Sequence, residues 1–76
     1  MTGSLIKKSF RLAGHSTSVA LEPEFWAVLE AQAKASGLPL AALIGQVDLT
    51  RAGRNLASAL RVFVLQNKTV RASEET

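Results

Sequence analysis

From Ser16 to Leu21 the side chains alternate, with Thr17, Val19 and Leu21 on one face of an extended chain and Ser16, Ser18 and Ala20 on the other. After Pro23 the apolar spacing changes to a helical period of about 3.6. The pattern predicts one short strand feeding directly into helices, with no second strand in the chain as its partner. Phe10 and Leu12 share an earlier parity, and Gly14 is read as a bulge where that parity gives way to the one of Val19 and Leu21. A lone strand leaves its ladder groups unpaired. The same strand from a second copy, antiparallel about a two-fold axis, satisfies them, so the pattern points to an obligate homodimer.

Three helices follow. Pro23, which loses nothing by lacking an N–H in a first turn, starts one that carries Phe25, Val28 and Leu29 and closes at Gly37. A second, from about Pro39 to Thr50, places Leu40, Leu43, Ile44 and Val47 on one face. Asn55 is a natural N-cap for a third, whose stripe is Leu56, Ala59, Leu60, Phe63 and Val64 and whose end is expected near Gln66 or Asn67. Residues 71–76 are polar and read as a disordered tail.

At 76 residues the chain holds one domain, and a core of that size supplies only a few kcal/mol, on the order of 3 to 5. With no cysteine and one histidine, disulfides and metal sites are not expected, and no cofactor is implied. The apolar residues fall in short amphipathic runs, so neither a membrane span nor a signal peptide is read, and a cytoplasmic, bacterial protein is the expectation. Net charge is +3. The first 21 residues carry Lys7, Lys8 and Arg11 and no acid, whereas Glu22, Glu24 and Glu30 gather at the first helix, whose positive end favours them. The basic arm suits an anionic partner. Arg51, Arg54 and Arg61 read as capping and surface-pairing residues, with Asp48 as one partner.

Strand, Pro-initiated helix, Gly-containing turn and second helix together resemble the ribbon-helix-helix family. The segments Ala13–Val19, Leu21–Trp26 and Asn55–Val64 resemble more closely a branch of small bacterial members with an added C-terminal helix. The resemblance spans about residues 8–67, leaving 1–7 and 68–76 as tails. It implies a mainly α, intertwined homodimer with a two-stranded antiparallel ribbon between subunits and a third helix. It also implies a DNA-binding role, that of a small transcriptional regulator, with the ribbon in the major groove and a phosphate held at the turn before the second helix. On that frame Ser16, Ser18 and Ala20 face the bases. Lys7, Lys8, Arg11 and the amides of Leu40 and Ala41 meet the backbone. Val19, Leu21, Phe25, Trp26, Leu29, Leu43, Ile44 and Val47 form the dimer core.

Serine hydroxyls donate to or accept from any base edge, and the long bidentate side chains are absent from positions 16, 18 and 20. A second function class is therefore kept: a dimeric adaptor or antitoxin-like subunit that binds protein through the ribbon or through Val62, Phe63 and Leu65 of the third helix. Catalysis is not expected. The run Gly14–Ser18 only imitates a nucleophile elbow, and His15 lies on the opposite strand face from Ser16, where it cannot act as its base.

Overall fold

A computed structural model describes residues 4–75, with side chains described for residues 4–67. The order is β1 (Ile6–Leu12), β2 (His15–Leu21), α1 (Pro23–Ala35), α2 (Leu40–Leu49) and α3 (Leu56–Glu75). The two strands pair antiparallel within the chain, from Ile6 opposite Leu21 to Leu12 opposite His15. This overturns the expectation of a single strand without an intrachain partner. The segment holding Phe10 and Leu12 is itself a strand, and Ala13-Gly14 is the turn of a hairpin rather than a bulge. Ala13 at φ 51° and Gly14 at φ 83° have the two left-handed residues that a two-residue type I′ turn requires.

The hairpin's inner face packs on the helices. Val19, Leu21, Trp26, Leu29, Ala33, Leu43, Ile44, Val47, Ala59, Leu60 and Val64 make one buried cluster, flanked by half-buried Phe10, Leu12, Phe25 and Phe63. The residues expected to form the dimer core bury against each other within the chain, with Phe25 half-buried. Trp26 is buried among them at 3% exposure. Its indole N–H donates to the Ile6 carbonyl at 2.7 Å, and its ring lies 6.0 Å from that of Phe10, so α1 holds β1 by both polar and apolar contact.

Local chemistry sets the helix boundaries. Leu38 N–H reaches Ala33 O at 2.9 Å and Gly37 N–H reaches Lys34 O at 3.1 Å, the paired bonds of a Schellman stop with Gly37 at φ 72°. Asn55 Oδ1 accepts from the Ser58 N–H at 2.8 Å, the expected N-cap of α3. That helix continues to Glu75, past its expected end near Gln66 or Asn67 and through most of the segment read as a disordered tail; Thr76, the rest of that segment, lies outside the described residues, as do positions 1–3 of the N-terminal tail. From Arg71 on the sequence carries Ala, Ser and Glu without glycine or proline, which gives the helix no stop signal.

Arg61 ties α3 to the start of α1. Its Nε and Nη2 donate to Glu22 Oε1 at 3.1 and 3.0 Å, and its guanidinium lies 5.7 Å from the centre of the Phe25 ring. The Glu22 carboxyl is held below the usual carboxylate range, first by its own backbone N–H and then by Arg61.

The hairpin turn and the Glu22 bridge are each open to a stability test. Ala13→Asn creates the Asn-Gly pair best suited to this turn and should stabilise by about 0.5–1 kcal/mol in urea titrations, whereas Gly14→Val, strained at positive φ, should destabilise by about 1–2 kcal/mol. For Glu22, a depressed folded-state value means its contribution is complete at neutral pH and disappears as pH falls through that value. Glu22→Gln should therefore lower the urea midpoint at pH 7 and leave it unchanged at a pH low enough to protonate the wild-type carboxylate.

Candidate nucleic-acid interface

Alternation along the hairpin divides its charges between two faces. On the outer face Lys7 lies opposite Ala20, Ser9 opposite Ser18 and Arg11 opposite Ser16. Lys7, Ser9, Arg11, Ser16 and Ser18 are exposed, and Ala20 is half-exposed. The Ser9 and Ser18 hydroxyls share a hydrogen bond at 2.9 Å in the middle of this surface. Two long cations and three hydroxyls therefore share one face. The segment that builds it, residues 6–21, has no acid.

Lys8 is on the other face. Its Nζ sits 5.6 Å from the centre of the Trp26 ring and 3.7 Å from Glu30 Oε2, contacts that join β1 to α1. The basic arm expected to act as one unit is thus split: Lys7 and Arg11 join Ser16, Ser18 and Ala20, and Lys8 does not. Sequence reasoning missed the pairing of Ser9 with Ser18 because it had not recognised β1. The shared parity of Phe10 and Leu12, just before the next strand, was the available signal.

Among the described residues the hairpin has two open edges. A two-residue turn makes Leu12 and His15 a hydrogen-bonded pair, and by alternation Phe10 with Thr17, Lys8 with Val19 and Ile6 with Leu21 follow. The backbone groups of Ser16, Ser18 and Ala20 therefore turn away from β1, and those of Lys7, Ser9 and Arg11 turn away from β2. The two edges differ in chemistry. The β1 edge is guarded by cations, the usual protection of an unpaired strand, whereas the β2 edge carries only small uncharged side chains.

Away from the sheet, α2 opens after Pro39, which places no side-chain cap on its end. Among the described residues the amides of Leu40 and Ala41 make no hydrogen bond within the chain, leaving them with the donor capacity expected of a phosphate-holding turn. Arg51 is engaged locally, donating to Asp48 Oδ1 and to the Arg54 carbonyl, each at 2.7 Å. On α3, Leu65 is 57% exposed while Val62 and Phe63 are half-buried. Among the described residues no helix is long and apolar enough to cross a membrane.

A family model described as a ribbon-helix-helix domain matches residues 5–67. The chain belongs to the ribbon-helix-helix domain family. Among solved structures it is similar to an uncharacterized protein from Bordetella pertussis Tohama I, at 34% identity and a TM-score of 0.82 over 99% of this chain. The chain spans 64% of the length of that protein. No curated protein matches it. In this ribbon-helix-helix domain β2, α1 and α2 follow one another in the order the family is named for, and the matched span also takes in β1 and α3 as far as Asn67.

The split of the basic arm is testable by stability alone. Lys8→Ala removes a cation–aromatic contact and a partly exposed ion pair and should cost about 0.5–1 kcal/mol in urea unfolding. Lys7→Ala, on the outer face, should stay within about 0.5 kcal/mol of wild type.

Proposed function

We propose that this ribbon-helix-helix protein is a small DNA-binding transcriptional regulator that acts as a homodimer in the cytoplasm, on the nucleoid when bound. The observation that carries this reading is the acid-free outer face of the hairpin beside an open, uncharged β2 edge. Pairing of two β2 strands through Ser16, Ser18 and Ala20 satisfies both open ladders at once and places two copies of that face side by side. The paired strands form the ribbon presented to the major groove, with Ser16, Ser18 and Ala20 of each subunit toward the bases. Lys7, Arg11 and the free amides of Leu40 and Ala41 supply backbone contacts. Because the core closes within each subunit, the dimer in this reading is joined through a sheet edge rather than through a shared interior.

A proline scan of the two edges tests the assembly and the activity together. Ser18→Pro removes an N–H aimed away from β1, so the hairpin should survive while pairing of β2 with its copy is blocked. Ser9→Pro makes the same change on the guarded edge. Sedimentation should give a monomer for the first and a dimer for the second, and duplex binding at low salt should fall at least tenfold only for the first. A wild type that stays folded and dimeric yet binds no duplex at low salt would replace this reading with the protein-binding adaptor.

A further inference from the structure

The hairpin changes what a dimeric ribbon presents to DNA. Two β2 strands joined at their open edges do not make a two-stranded ribbon, because each brings its own β1 on the far side. The assembled sheet has the order β1, β2, partner β2, partner β1. Strands lie about 4.8 Å apart, so the two central strands span about 5 Å while the outer pair lie about 14 Å apart. The major groove of B-form DNA is about 12 Å wide. The central strands fit within it and the outer strands do not.

We infer that β1 rides on the walls of the groove, with Lys7 and Arg11 of each subunit set against the phosphates on either side while Ser16, Ser18 and Ala20 face the groove floor. This inference rests on the proposed DNA-binding dimer and assigns the outer-face residues distinct duties within it. The sequence agrees with the division. Both cations of the outer face lie on β1, where the sheet is too wide to enter, and the small side chains of β2 lie where room is least. Lys7 and Arg11 are four residues apart, about 14 Å along the strand, which lets one β1 reach two separate phosphates of the same backbone. Lys8 takes no part, since Trp26 and Glu30 hold it on the inner face. A protein docked this way draws most of its affinity from the backbone and little from base identity.

The competing geometry has a single hairpin entering the groove as a two-stranded ribbon, which would aim Arg11 at a base. A guanine read by two hydrogen bonds from a guanidinium is not read equally well by lysine, whereas a phosphate is neutralised by either. The test uses wild type, the Lys7→Ala/Arg11→Ala double variant and Arg11→Lys, each checked by circular dichroism, on a random-sequence duplex pool and one fixed duplex across a salt series. Four cations per dimer on phosphates predict that the double variant flattens the slope of log affinity against log salt by about 3.6, at about 0.9 for each phosphate released. The base preferences recovered from the pool should be the same for Arg11→Lys as for wild type. An unchanged slope, or loss of a guanine preference in Arg11→Lys, would overturn the groove-wall assignment while leaving DNA binding by the wild type in place. Failure of the wild type to bind any duplex would remove the DNA-binding reading and this assignment with it.

Discussion

Strand β2 has hydrogen-bonding groups along two edges, and β1 fills only one of them. Most of the molecule's surface chemistry follows from that choice. Pairing with β1 directs the backbone of Thr17, Val19 and Leu21 into the hairpin while their side chains point at the helices. It leaves the backbone of Ser16, Ser18 and Ala20 at an open edge and their side chains on the outer face. Unpaired ladder groups are costly when buried and sticky when exposed. Cations on β1 protect one open edge, while nothing charged guards the other. An edge left in that state is suited to pairing with a strand of the same kind, and the second copy of this chain is such a strand.

The same pairing adds a layer to the core of the chain. A 76-residue chain without disulfides has little core to spare, and a shared interior would be one way to enlarge it. Here the hairpin provides that extra layer within the chain. Trp26 is central to it: the indole ring covers the inner face beside Phe10 and Lys8 while its N–H ties down the Ile6 carbonyl. Arg61 performs the corresponding task for α3, bridging to Glu22 and lying against Phe25. Both contacts join elements far apart in sequence, and both use a long side chain with one polar end. Lys8 stands on the inner face with Trp26, so of the three cations of the N-terminal arm only Lys7 and Arg11 stand on the outer face.

The helices were largely legible in the sequence because their signals are local. Pro23 at the start of α1, the Gly37 stop and the Asn55 cap each act within a few residues, and each is seen making the expected backbone contact or angle. The face of β2 was legible for the same reason, since alternation depends on nothing but the strand itself. What escaped was β1. Its sequence, Ile-Lys-Lys-Ser-Phe-Arg-Leu, has only a short alternation, and its turn is Ala-Gly in place of the Asn-Gly or Asp-Gly that marks a type I′ hairpin. Reading Gly14 as a bulge removed the partner strand from within the chain. The split of Lys7 and Arg11 from Lys8 escaped with it, because which face a charge occupies is defined only once the strand is recognised. The extra length of α3 escaped for a different reason: a segment rich in polar residues gives no apolar period to follow, although it contains nothing that stops a helix.

Amide hydrogen exchange across a range of protein concentrations tests the central claim most directly, because it reads the two edges of the hairpin separately. If β2 pairs with its copy, the amides of Ser16, Ser18 and Ala20 should become protected as concentration rises, while those of Lys7, Ser9 and Arg11 exchange rapidly throughout and those of Thr17, Val19 and Leu21 stay protected at every concentration. Rapid exchange at Ser16, Ser18 and Ala20 even at the highest concentration, with the inner ladder still protected, would show that the open edge of β2 is not where two copies meet.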